Sequence, residues 1–297
     1  MTKTESQLRL RHSAERAGGA LPPLLVAAER VASTVIQGVH GRRRVGLGET
    51  FWQFRRYETG DSMRSIDWRQ SAKSQLLFVR ETEWAAAQSL WLWRDASPSM
   101  RWRSHRSLPE KRERAELLML ALSSMLVRAG ERVALLDGNM RPASGKAAID
   151  RLALELLGAS GAATTPADVP AFHPIPRHAH TVWFSDFLAP LEKIDAMVRQ
   201  YATRNVNGFL LQVLDPAEEG LPFNGRTRFE GLENEGRVLV KRVENVRADY
   251  RQRLDRHIAG LRDIARAAGW RYALHRTDLP PEKALLAMFV ALSEPKE

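Results

Sequence analysis

The stretch LWLWRDASPSM, residues 90–100, carries three oxygen-bearing side chains at alternate positions: Asp95, Ser97 and Ser99. One carboxylate and two hydroxyls form an all-oxygen donor set. Such a set suits a hard divalent cation, Mg²⁺, Ca²⁺ or Mn²⁺, rather than Zn²⁺. Alternate residues of an extended turn can point the same way, so this spacing can bring three donors to one place. The same three residues also compose an ordinary turn, because Ser and Asp side chains bond their own backbone. A second carboxylate, Asp186, ends the apolar run VWFSDF and follows Ser185, and Thr164 and Thr165 stand in the loop GAATTPADVP between the two segments.

Bringing Asp95 and Asp186 together requires two strands that end side by side. SLWLWRD is apolar at consecutive positions, as expected of a strand covered by helices on both faces. SLPEKRERAELLMLALSSMLVRAG, residues 107–130, predicts a helix. Ser107 and Glu110 form a capping box, Pro109 sits in the first turn and Gly130 stops it. RVALLDG, HTVWFSDF, NGFLLQVLDP and WRYALHR supply further strands, while GKAAIDRLALELLGA, LEKIDAMVRQYATR and PEKALLAMFVALS supply helices. TRFEGLENEGRVLVKR predicts a hairpin about Glu235-Gly236. A long helix from about Val243 to Ala268 follows, with Val246, Tyr250, Leu254, Ile258 and Leu261 on one face. This alternation implies an α/β fold, a mostly parallel sheet with helices on both faces. Such sheets bind ligands beyond the carboxyl ends of their strands, where Asp95 and Asp186 fall.

Composition narrows the function classes. The 297 residues are 44% hydrophobic and 27% charged, with no cysteine, which excludes disulfides, thiolate zinc sites and cysteine nucleophiles. No apolar run approaches the roughly 20 residues of a membrane span. GGALPPLLVAAER near the start is broken by Pro22 and Pro23, so no signal peptide is expected and the expected location is cytoplasmic. The net charge of +10 is spread through mixed segments such as EKRERAE and RADYRQRLDRH, which read as solvated helix faces. Nucleic-acid binding is therefore not expected, and GRRRVG at residues 41–46 is too small a cluster to reverse that. SGKAA at residues 144–148 lacks the glycine spacing of a phosphate loop. Ser97 and Ser99 lie in no Gly-x-Ser-x-Gly elbow. His173, His178 and His180 in FHPIPRHAH suit a connecting loop. No catalytic constellation emerges. The alternative to a non-catalytic protein is a magnesium-dependent phosphoesterase using strand-ending Asp95, Asp137 and Asp186.

Asp-x-Ser-x-Ser, a loop threonine and a strand-ending aspartate resemble the metal-ion-dependent adhesion site of von Willebrand factor A domains. Asp95, Ser97 and Ser99 match its first motif, Thr164 or Thr165 the middle one and Asp186 the last. The resemblance implies Mg²⁺ or another hard divalent cation with one position open to an acidic side chain of a partner. Upstream, RRYETGDSMRSIDWRQSA resembles the signature of the domain of unknown function 58 family through Arg56, Tyr57, Gly60, Asp61, Arg64, Ile66, Asp67, Trp68, Ser71 and Ala72. DPAEEGLPFNGRTRFEGLENEG and the helix containing Tyr250 and His257 are similar to later parts of that family. Membership implies a von Willebrand A-like (Rossmann-like) domain, residues 86–297. It would be preceded by a smaller helix and β-hairpin segment, residues 1–85. It also implies a MoxR-type AAA+ ATPase as partner, served by an adaptor in protein maturation or complex assembly. By its own residues, the Arg- and Asp-rich run upstream reads as a hydrogen-bonded knot docking the hairpin on the sheet, or as a partner-binding surface.

Overall fold

The alternation of apolar runs and amphipathic segments resolves into a five-stranded parallel sheet flanked by helices. The computed structural model describes residues 23–36, 51–57, 66–73, 76–82, 89–138, 141–158, 167–232 and 236–293. In chain order the elements begin with helix α1 (23–36), strand β1 (Phe51–Arg56), the short helix α2 (Trp68–Ser71) and β2 (Phe78–Thr82). Then come β3 (Ser89–Arg94), α3 (Lys111–Arg128), β4 (Arg132–Leu135), α4 (Lys146–Gly158), β5 (His180–Ser185) and α5 (Leu191–Ala202). The chain continues through β6 (Asn207–Leu214), α6 (Pro216–Gly220), β7 (Thr227–Glu230), β8 (Arg237–Val240), α7 (Val243–Ala267), β9 (Arg271–Arg276) and α8 (Glu282–Ser293). The main sheet runs β4-β3-β5-β6-β9, every ladder parallel, while β1-β2 and β7-β8 are separate antiparallel pairs. The topology is compatible with a Rossmann-like fold. No described helix is long and apolar enough to cross a membrane.

Period-two alternation divides β3 between two cores. Leu90 and Leu92 point into one layer with Leu118, Leu122, Val182, Phe184 and Leu285. Trp91 and Trp93 point into the other, with Trp183, Tyr201, Leu261 and Trp270. A strand buried on both faces cannot alternate apolar and polar residues, which is why LWLW reads as an unbroken run. Helix α1 joins the first layer through Ala28, Val31, Ala32 and Val35, a stripe at helical spacing. Ser124 of α3 donates to Glu29 across that contact at 2.7 Å, and Arg128 pairs with the same glutamate.

Three expectations need correction. Helix α3 begins at Lys111, not after Ser107: Glu110 and Glu113 form the capping box, with Glu110 N donating to Glu113 Oε2 at 2.9 Å. Ser107 instead bonds the His105 ring. In α7, Val246 is left 39% exposed, because fully buried Val243, three residues earlier, takes the inward position of the first turn. In FHPIPRHAH, only the part before His180 is a loop, since His180 opens β5. The hairpin forms where expected, with Gly231 N donating to Gly236 O at 2.9 Å and Gly236 in the left-handed region at φ 88°.

Candidate functional site

The chain enters the sheet at β3, leaves to β4 on one side and returns to β5 on the other. The carboxyl ends of β3 and β5 therefore flank the crevice where the strand order reverses, the usual ligand position in open α/β sheets. Asp95 follows β3 and Asp186 follows β5; Asp95 N donates to Phe184 O at 2.9 Å, continuing the ladder by one residue. Both carboxylates are buried, and Ser97 is buried beside them.

Four sequence-predicted residues converge here. Ser97 N donates to Asp95 Oδ1 at 2.7 Å, and Ser185 Oγ donates to Asp95 Oδ2 at 2.6 Å. Ser97 Oγ and Ser99 Oγ stand 3.0 Å apart, and Ser99 Oγ donates to Asp186 Oδ2 at 2.7 Å. Asp95 thus shapes the Asp-x-Ser turn and Asp186 orients the second hydroxyl. The turn and the donor set are the same structure. Thr164 and Thr165 lie outside the described residues, as do Gly60, Asp61 and Arg64.

Backbone strain helps aim Asp186. Phe187, fully buried, sits at φ 49°, a region costly for an aromatic residue. Three bonds hold the turn: Phe187 N donates to Ser185 Oγ at 2.8 Å, Gln212 Nε2 donates to Asp186 O at 2.7 Å, and His257 Nε2 meets Phe187 O at 2.6 Å.

The site contains two charged residues that the motif does not name. Lys111, the first residue of α3, is fully buried, with Nζ 2.8 Å from Asp186 Oδ2 and 2.5 Å from Glu218 Oε1. Glu218 also accepts from Asp215 N at 2.8 Å. Asp215, at the end of β6, caps α6 through Ala217 N and ties down the loop after β3 through Ser104 N. Tyr250 of α7 donates to Glu218 O at 2.6 Å. Lys111 had a signal in sequence: a lysine in the first turn of a helix opposes the macrodipole. The segment EKRERAE nevertheless reads as a solvated face, because the Ser107/Glu110 pattern starts the helix earlier. Glu218 had a clearer one, since Asp-Pro-x-Glu is a capping box with Pro at the first helical position.

The electrostatics follow from burial. Desolvation, reinforced by Asp186, pushes the Asp95 carboxyl up to about 6, against the bonds from Ser185 and Ser97 that favour its charged form. Among the described residues Asp95 has no ion-pair partner. Burial works against the Lys111 ammonium, but Asp186 and Glu218 outweigh it and hold its pKa above the usual lysine range. Burial also raises Glu218, more than its share of the one ammonium lowers it. Arg94, the other buried cation at the end of β3, is directed away to Glu116 at 3.0 Å, where Arg112 also binds.

The donor chemistry fits a hard cation. The 3.0 Å between the two seryl oxygens matches neighbouring ligands around Mg²⁺ with bonds of ~2.1 Å. Asp137 does not join them: among the described residues, no three His, Asp or Glu side chains are placed to hold a metal. His173 lies against the Trp91 ring on the far layer.

Beside the site opens a cleft of about 790 Å³. Ser99, Asp186 and Glu218 form its polar end, and Trp102, Phe223 and Phe229 line its apolar part. The β7-β8 hairpin next to it leaves Val238 and Leu239 exposed.

Of the upstream motif, Ile66 is buried and Asp67 caps α2 through Gln70 N at 2.8 Å. Ser71 Oγ accepts from Phe78 N and Asp67 N donates to Phe78 O, both at 2.9 Å, joining α2 to β2, while Tyr57 N donates to Leu77 O within the hairpin. Trp68 is 61% exposed.

No curated protein and no solved structure matches the chain. The family described as "Protein of unknown function DUF58" matches residues 53–260, a span that includes the described part of the upstream motif, the Asp-x-Ser-x-Ser turn, Lys111, Asp186 and Glu218, and on that match the chain belongs to the DUF58 family.

Proposed function

We propose that the strand-end site is a non-catalytic protein-docking site of the von Willebrand A type, receiving an acidic side chain of a partner. The partner we propose is a MoxR-type AAA+ ATPase, with this chain as its adaptor in protein maturation or complex assembly. Asp95, Ser97, Ser99 and Asp186, with Thr164 or Thr165, would hold Mg²⁺ or another hard divalent cation. Such a cation supplies a positive centre that a carboxylate oxygen can complete.

The observation that carries this reading is the convergence of four motif residues at the ends of two adjacent parallel strands, with Ser99 and Asp186 reaching the wall of an open cleft and Asp95 and Ser97 buried behind them. Around it the chain's own residues do the positioning. Asp186 holds the Ser99 hydroxyl, Asp95 holds the Ser97 backbone, and the strained turn at Phe187 is braced from α7 by His257. The apolar cleft would receive side chains flanking the partner's acid. Among the described residues Asp137 forms no metal-holding group with Asp95 and Asp186, which favours docking over phosphate-ester hydrolysis.

The test is a pull-down of the ATPase by wild type and Asp95→Ala, each with Mg²⁺ and with a chelator. Capture by wild type in Mg²⁺, lost in the variant and on chelation, is the expected result. Capture that ignores both changes removes the reading. Phosphate-ester turnover by wild type but not by the variant replaces it with the hydrolytic one.

A further inference from the structure

Lys111 breaks two rules at once. It places a cation in the first turn of a helix, where the macrodipole favours anions, and it buries that cation completely. Local violations of this kind are expected where a residue serves a site rather than its own element. The ammonium lies between Asp186 and Glu218, at 2.8 and 2.5 Å, and Asp186 is the carboxylate that also orients Ser99.

The charge count explains why one ammonium does not complete the site. Asp95, Asp186 and Glu218 set three carboxylates against a single Lys111. When all are ionised, two negative charges remain unmatched, and a divalent cation supplies that amount. The shortage falls on Asp95, which has no ion-pair partner among the described residues. Lys111 and an ion held by the seryl oxygens would share Asp186, and like charges sharing one carboxylate oppose each other.

We propose that Lys111 is the chain's own resident cation in this site: it keeps Asp186 in place when no ion is bound and weakens the hold on a divalent ion by competing for that carboxylate. The inference rests on the ion-binding part of the docking reading above. It adds that the affinity is set by a lysine belonging to none of the motif positions. Glu218 gives the ammonium a second carboxylate to stay on when Asp186 turns to an ion. Wild type then binds the ion weakly and reversibly, and folds without it.

The experiment is a Mn²⁺ titration followed by electron paramagnetic resonance, with Mg²⁺ competition, on wild type, Lys111→Met and Lys111→Arg, with no partner present. The expected result is binding at least tenfold tighter in Lys111→Met than in wild type, with Lys111→Arg close to wild type. Mg²⁺ should raise the melting temperature of Lys111→Met and leave that of wild type nearly unchanged. If Lys111→Met folds only when Mg²⁺ is supplied, that too supports the proposal, because an ion has replaced the missing charge. Equal affinities, or weaker binding by Lys111→Met, overturn the role of Lys111 while leaving the ion reading intact. Micromolar binding by wild type overturns it whatever the variants do. Absence of binding by every form at 10 mM Mn²⁺, on the order of the weakest useful site, removes the ion and this inference together.

Discussion

The contact between Lys111 and Asp186 can be measured by a double-mutant cycle. At 2.8 Å and an effective dielectric constant near 20, the two charges attract by about 6 kcal/mol before desolvation is counted. Desolvation consumes much of that, so the pair itself adds little net stability, whereas leaving either charge buried alone costs about 3–5 kcal/mol. Asp186→Asn strands Lys111 with Glu218 only and offers Ser99 a weaker acceptor. Lys111→Met strands Asp186 and Glu218 together. Each single variant should therefore lose about 3 kcal/mol of unfolding free energy in urea, in chelator-treated buffer at neutral pH. The double variant leaves no unmatched ammonium and one fewer carboxylate, and should lose at least 2 kcal/mol less than the two singles combined. A domain of ordinary stability, about 5–15 kcal/mol, leaves that difference readable. Additivity to within about 0.5 kcal/mol would mean that the two groups do not sense each other, and the account of the site as an ammonium-centred cluster would fail.

Other perturbations test the surrounding fold. Burial, reinforced by Arg114, holds His275 down at about 4 against an ordinary 6.5. Its neutral ring therefore stabilises the fold fully above pH 6.5, and the effect is lost as pH falls from 6.5 toward 4, at about 1.4 kcal/mol per pH unit and about 3 kcal/mol in all. Urea unfolding at pH 7 and pH 4.5 should show that much more acid loss in wild type than in His275→Gln, and equal losses would refute it. Gly208→Ala places a Cβ within 2.0–2.2 Å of the Trp270 indole. It should cost about 3 kcal/mol, partly regained with Trp270→Leu, and an unchanged melting curve would exclude the close approach. Tyr250→Phe removes the 2.6 Å bond to Glu218 O and should cost about 1 kcal/mol in the same assay.

The parts of this architecture visible in sequence are those fixed by short-range periodicity. LWLW and VWF announce strands covered on both faces, and the residues after them inherit a strand-end position without any tertiary information. Asp95, Ser97, Ser99 and Asp186 were legible for that reason. The local signals of Lys111 and Glu218 did not place them in the site, because that role depends on contacts 75 and 107 residues apart along the chain. The start of α3 illustrates the difficulty: Ser107 and Glu110 satisfy one capping pattern, Glu110 and Glu113 another, and only the second makes Lys111 the first helical residue. Three positions of shift turn a residue on a solvated face into the buried cation of the site. Val246 was misplaced by the same mechanism, since periodicity gives the direction of a face but not the turn at which a helix enters the core.

Electrostatic economy links the site to the rest of the chain. The protein carries a net charge of +10, yet the buried ionic cluster at Lys111 holds more carboxylates than cations. Arg94, adjacent in sequence to Asp95, could have neutralised it, but the opposite-facing geometry of consecutive strand residues sends its guanidinium to Glu116 instead. The aspartate stays buried at the end of β3, with a backbone N–H and a hydroxyl as its donors among the described residues. Removing its carboxylate would leave the buried Ser97 N–H and Ser185 hydroxyl without the acceptor that shapes the turn. Among the described residues Asp95 has no ion pair and Lys111 bonds only Asp186 and Glu218, so the cluster is short of positive charge, and Ser99 and Asp186 carry it to the wall of the cleft.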